Sequence, residues 1–171
     1  MQAAKGEQFM NGSMRLGRFG KELLRLCVAL GVMSMLSYAG GVRAESLITT
    51  MTTDQLRSIM TDEGYAVTST GSPGQLLWKI DGYSTYVYVQ GNGRIIKFRK
   101  GFSGKVSLEA VNAWNQTKRY STSFVDSEGR PNLKMYLALD GGVSKARLTD
   151  YLKTCRTSFV VWVKHLRAAQ Q

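Results

Sequence analysis

Asp81-Gly82 stands between two β-rich runs, Gln75–Ile80 and Tyr83–Gln90, with no residue to spare. A two-residue link of this kind closes a type I′ turn, which needs positive φ at both positions. The chain therefore contains an antiparallel hairpin near its middle, and an all-parallel sheet is excluded. Gly91-Asn92-Gly93 marks the next turn. Residues 94–102 then read as a further strand, with Ile96 and Phe98 on one face and Lys97 and Arg99 on the other. A second hairpin is expected from residues 120–125 and 132–139 around Ser127–Pro131. In its second strand Leu133, Met135, Leu137 and Leu139 alternate with Lys134 and Tyr136.

Three helical segments interrupt these strands. Thr53 is the expected cap of a first helix over residues 53–63, with Leu56, Ile59 and Met60 at helical spacing and Gly64 as its stop. Residues 65–68 alternate as a short strand does. Ser107 is the expected cap of a second helix, whose apolar stripe is Leu108, Val111 and Trp114. A third helix is expected over residues 144–166. Leu148, Tyr151, Leu152, Cys155, Phe159, Trp162 and Leu166 recur there every three or four positions. The order α-β-β-β-(β)-α-β-β-α gives an α+β fold: an antiparallel sheet of five or six strands with helices packed on it.

The N-terminus has the layout of an address. Arg15, Arg18, Lys21 and Arg25 precede an apolar run over residues 26–39, and Gly41-Val42-Arg43-Ala44 ends it with small residues at −3 and −1. That order is the one a secretory signal needs, with cleavage between Ala44 and Glu45. The run is shorter than the roughly 20 residues that span a bilayer, so an uncleaved membrane anchor is the alternative. Met10 or Met14 would serve equally as the start. The expected division is a signal over 1–44, a linker over 45–52, a domain over 53–166 and a tail over 167–171. Cleavage leaves 17 basic and 10 acidic residues, a net charge of +7, and one cysteine. In an oxidising periplasm a lone Cys155 must be buried.

Local chemistry names no reaction. One His and two Cys fall short of a four-ligand zinc site, so no metal is expected. No G-x-S-x-G elbow exists, and His165 near the end of the last helix reads as a surface residue. Gly91-Asn92-Gly93 joins two strands and lacks the third glycine of a dinucleotide fingerprint. No catalytic residue or cofactor is assigned, and the protein is not expected to be an enzyme.

Two groups of residues stand out instead. Arg94, Lys97, Arg99 and Lys100, with Lys105 after them, form the densest basic stretch; alternation puts Lys97 and Arg99 on one strand face, where Tyr86 and Tyr88 of the preceding strand can stand alongside. Such a face suits single strands of nucleic acid. Export argues against that partner and leaves a solvated face or a weak contact with an anionic membrane surface. On the second helix Asn112, Asn115 and Arg119 share one flank at helical spacing. Two Asn in one short helix point to a hydrogen-bonding role, either toward a binding partner or, the favoured reading, toward loose backbone at the sheet edge, which would fix the helix on the sheet.

The run Asn112-Ala113-Trp114-Asn115-Gln116-Thr117-Lys118-Arg119-Tyr120 resembles the N-x-W-N-x-x-x-R-aromatic signature of the bacterial YbjN domain. Gly64-Tyr65 after the first helix and Gly141-Gly142 before the last are similar to the same family, in the same order. The resemblance implies a fold like that of type III secretion chaperones, frequent dimers, and a regulator's label without attached enzymatic activity. Asn112, Trp114, Asn115, Arg119, Gly141 and Gly142 are the matching positions. The expected function is an exported, non-enzymatic binding module of the cell envelope, with a protein partner or a second copy of itself. The alternative is a lipid or small-ligand binder with an apolar pocket between sheet and last helix.

Overall fold

A computed structural model describes residues 46–169. The proposed signal and its cleavage site at Ala44 and Glu45 lie outside the described residues. The elements run in the order α1 (Thr53–Asp62), β1 (Val67–Ser69), β2 (Gln75–Ile80), β3 (Tyr83–Gln90), β4 (Ile95–Gly101), α2 (Leu108–Thr117), β5 (Thr122–Val125), β6 (Pro131–Ala138) and α3 (Lys145–Ala168). The fold is α+β, with one six-stranded sheet in the order β1-β2-β3-β4-β6-β5 and every neighbouring pair antiparallel.

The first hairpin forms where its turn chemistry demands. Asp81 and Gly82 both take positive φ, 48° and 83°, and the register runs from Ile80↔Tyr83 to Gln75↔Tyr88. The start of α1 corrects the sequence reading by one residue. Thr52, not Thr53, is the cap: its hydroxyl accepts from the Gln55 backbone N–H, and the Gln55 side chain accepts from the Thr52 N–H at 2.8 Å. This reciprocal pair needs its second member three positions along, and Gln55 is three from Thr52. Ser107 caps α2 as expected, and Ser144 caps α3.

The stripe of α2 also differs from expectation. Ala110, Val111 and Trp114 are buried, whereas Leu108 is 61% exposed. At about 100° per residue, Leu108 lies some 120° around the helix from Trp114, while Ala110 and Val111 flank it closely. Spacing of three, repeated twice, drifts off a face.

All three helices bury their apolar sides in one cluster with alternate strand residues, so they cover a single face of the sheet. Leu76, Trp78, Val87, Ile96, Phe98, Leu133, Met135 and Leu137 supply the sheet's share. Helix α3 spans roughly 36 Å at 1.5 Å per residue and lies along this face. Its Phe159 packs against Phe98 at 6.2 Å and Tyr83 at 5.6 Å between ring centres, and its Trp162 stacks on Phe102 at 5.4 Å. Each such ring contributes on the order of 1.5–3 kcal/mol by leaving water.

Polar tips inside the core are matched. The Tyr151 hydroxyl reaches the Ile96 carbonyl at 3.2 Å and the Met135 carbonyl at 3.1 Å, and Trp162 donates to the Ser123 hydroxyl at 3.0 Å. Among the described residues no buried side-chain nitrogen or oxygen lacks a partner. Among them, too, no helix is long and apolar enough to cross a membrane.

Candidate binding surface

The other face of the sheet has no helix on it among the described residues. Strand register lines up its side chains in rows. Leu77, Tyr86, Arg99, Lys134 and Thr122 form one row, and Gln75, Tyr88, Lys97 and Tyr136 form the next. Lys79 lies on the same face and donates to the Ser84 hydroxyl at 2.7 Å. None of the six strands contains an Asp or Glu. The strands of this face therefore carry cations only, and the nearest acid, Asp126 just after β5, lines a pocket with Arg99.

Rings lie against the charges. Lys97 Nζ is 5.5 Å from the centre of the Tyr88 ring and 5.8 Å from that of Tyr136. Lys134 Nζ is 5.1 Å from the Phe124 ring, and the Arg99 guanidinium lies 5.9 Å from it. Cations held over π-faces at such distances gain about 0.5–1 kcal/mol each at exposed sites. Arg99 is further fixed by a 3.1 Å hydrogen bond to Asn132 Oδ1. Arg99 and Lys134 stand directly opposite each other across β4 and β6, a positive field that an anion would neutralise.

The structure sorts the four residues of the basic stretch. Lys97 and Arg99 lie together on the open face. Lys100 has the opposite parity and turns to the helix side, with Nζ 4.9 Å from the Phe102 ring. Burial, and then Lys79, hold its ammonium below the usual lysine range. Arg94 stands in the turn before β4 and faces Asp140 at 4.0 Å. Lys134 and Tyr136 replace them on the face. Their alternation was legible, but the pairing of β6 with β4 across an intervening helix was not.

Of the signature positions, Asn115 has a defined structural contact. Its side-chain NH2 donates to the Ser123 carbonyl and its Oδ1 accepts from the Ser123 N–H, both at 2.9 Å. Ser123 lies on β5, the outer strand, so one amide side chain satisfies both outward backbone groups of that residue. Trp114 is buried and donates to the Ser121 hydroxyl at 3.1 Å. Asn112 and Arg119 are exposed, with no side-chain partner among the described residues. The shared flank is not realised, because α2 ends at Thr117 and Arg119 lies beyond it. Gly141 and Gly142 take φ of 78° and 86°, and a Cβ on Gly142 would come within 2.8 Å of the Leu47 Cβ. Close passage of the N-terminal segment, bridged by Ile48↔Val143, requires glycine there.

His165 fastens two helices. Its Nε2 is 2.7 Å from the Ala110 carbonyl and its ring centre 5.5 Å from that of Trp114. Cys155 is fully buried, and burial pushes its thiol far above the reactive range. Among the described residues no group of three or more His, Cys, Asp or Glu is placed to hold a metal. Beside α3, two adjoining clefts of about 300 and 270 Å³ share Tyr83, Val163 and Arg167. Arg167 donates to the Tyr83 hydroxyl at 2.6 Å between them.

With this geometry in hand, known proteins offer two points of comparison. The profile of the YbjN family, described as "Putative bacterial sensory transduction regulator", matches residues 52–167. Among solved structures, that of YbjN from E. coli, titled a "putative transcription regulator", superposes with a TM-score of 0.61 at 16% identity, covering 73% of this chain and 96% of that one. At that identity the likeness shows the fold. No curated protein matches the chain.

Proposed function

The chain belongs to the YbjN family, and from that premise we propose that it is a non-enzymatic, exported binding module that engages a protein partner of the cell envelope through the helix-free face of its sheet. The observation that carries this reading is the row of Arg99 and Lys134 beside Lys97, interleaved with Tyr86, Tyr88 and Tyr136 and lacking any acid. Interfaces favour Tyr and Arg, and complementary charge gives them selectivity. The family and its solved relative both carry a regulator's description, in keeping with a role in binding. The basic, apolar and small-residue order of residues 15–44 supports export.

Crosslinking in intact cells, followed by affinity capture and mass spectrometry, tests the reading. One envelope protein should be recovered reproducibly with the parent chain and lost with Lys97→Glu/Lys134→Glu. Equal recovery with both chains would sink the assignment of the face. Mass spectrometry of the exported protein should find Glu45 first, and an intact N-terminus in the membrane fraction would favour the anchor.

A second reading rests on the two clefts beside α3. Tyr83, Phe102 and Val163 offer an apolar wall and Arg167 a cation, which suits an anionic amphiphile. Native mass spectrometry that retains such a molecule would turn the assignment to that site.

A further inference from the structure

Strand β5 covers only half of β6. Its four residues pair with Pro131–Lys134, and β6 continues to Ala138. Along a strand, backbone groups of alternate residues turn to the same side. The Leu139 N–H donates to the Arg94 carbonyl at 2.8 Å and the Phe102 N–H to the Pro131 carbonyl at 3.1 Å. These bonds set the odd-numbered residues of β6 toward β4. The even-numbered ones turn outward. Asn132 and Lys134 meet β5, while Tyr136 and Ala138 have no strand beside them. Both are exposed, and among the described residues nothing bonds to their outward N–H and C=O groups. The cause is local: α2 ends at Thr117, and the chain that follows passes from the helix layer to the sheet before it can pair.

On neighbouring β5 the outward groups of Ser123 are treated differently, since both are taken by Asn115. The vacant half of β6 lies beside that closed position and leaves its own strand edge open. Beside it lies a cleft of about 450 Å³ bounded by Tyr120, Tyr136, Tyr151, Thr154 and the Arg147–Asp150 pair.

We infer that this vacant half-edge accepts an extended acidic peptide as a seventh strand, in line with β5. The inference rests on the reading of the molecule as a protein-binding module and names the partner's form. Tyr136 and Ala138 offer two donors and two acceptors, enough for four backbone hydrogen bonds with a peptide of about five residues. Side chains of the added strand alternate between faces. Those on the open face meet Lys134 and Lys97, whose Nζ atoms lie 6.0 and 5.8 Å from the Tyr136 ring. Those on the other face enter the cleft beside Tyr151 and Thr154. Carboxylates therefore belong at alternate positions, with uncharged residues between them. A second copy pairing through the same edge would bring another Lys97 and Lys134 against the first, so like charge disfavours it.

The probe is a capped six-residue peptide of alternating Glu and Val, with a Lys-for-Glu counterpart as control. Amide hydrogen exchange is followed by NMR on the full chain. Binding should slow exchange at the Tyr136 and Ala138 amides by at least about tenfold. The lysine peptide should bind at least about tenfold more weakly. Ala138→Pro removes one outward N–H and puts a ring in the path, a change that edge strands tolerate. It should leave thermal unfolding in place and weaken the acidic peptide by at least about tenfold.

Unchanged exchange at Tyr136 and Ala138 with the peptide bound, or full binding by the Ala138→Pro chain, would overturn the inference. So would no binding at all. None of these results touches the open face, whose own test is partner recovery with Lys97→Glu/Lys134→Glu. Should Ala138→Pro fail to fold, exchange on the unaltered chain decides alone.

Discussion

Phe98 and Lys97 are neighbours in sequence and opposites in environment. Phe98 has no exposed surface and touches rings from β2 and α3. Lys97 stands between two tyrosines on a face that no described helix covers. The same alternation holds across β2, β3, β4 and β6, so one set of strands builds a core on one side and a charged array on the other. Burial fixes the first face: its residues are chosen by volume and cannot change without leaving a void. No packing demand fixes the second. A surface of four cations on the strands with no acid is costly in self-repulsion and adds little to stability. Its composition points to something outside the fold.

The comparison breaks most visibly if the two faces respond alike to substitution. Phe98→Ala should cost about 3–5 kcal/mol in denaturant unfolding, since it opens a void between β4, Trp78 and Phe159. A cost near that of a surface change would mean the covered face is loosely packed. Asn115→Ala should cost about 1–3 kcal/mol, because two backbone groups of Ser123 lose their partners. Unchanged melting together with a lost partner would move Asn115 from structure to recognition.

A smaller effect lies at the β5–β6 loop. Burial alone would raise the Asp126 carboxyl, but the Arg130 N–H, the Arg130 side chain and the Glu128 N–H together hold it below its usual range. A group lowered in the folded state stabilises above its unfolded value of about 3.9, and that stability is lost as pH falls through the folded value. Protection of the Gly129 amide, its exchange compared with that of an unstructured chain at the same pH, should therefore fall only below about pH 4, ahead of global unfolding. Loss of protection near neutral pH would mean that another group anchors the loop.

Smallest for stability is Lys97→Glu/Lys134→Glu, expected to shift unfolding by less than about 1 kcal/mol. Here the contrast is sharpest: the open face should lose binding while keeping the fold. A large loss of stability would mean these side chains hold the sheet together.

Much of this was legible in the chain. Asp81-Gly82 set the hairpin and its register, because an Asp-Gly link suits a type I′ turn, whose two positive φ values it takes here. Seven apolar positions from Leu148 to Leu166 placed the buried side of α3 without error, since a helix this long repeats its face many times. Shorter elements were less well specified. Ten residues of α2 allowed two stripes, and Leu108 joined the wrong one. The flank of Asn112, Asn115 and Arg119 assumed a helix that continued past Thr117. Lys100 was grouped by closeness in sequence with residues of the opposite parity.

By itself, then, the sequence determined the α+β class, the turns, and which side of each strand faces apolar neighbours. All of these follow from φ restrictions and periodicity within a few residues. Only the tertiary structure decided that β6 pairs with β4, which brings Lys134 and Tyr136 beside Lys97 and Arg99. It also decided that Asn115 closes Ser123 and that Tyr136 and Ala138 stay open. Those relations join residues about 8 to 40 positions apart. They depend on where a helix of given length returns the chain to the sheet, and that distance is set by packing on the shared core rather than by any local preference.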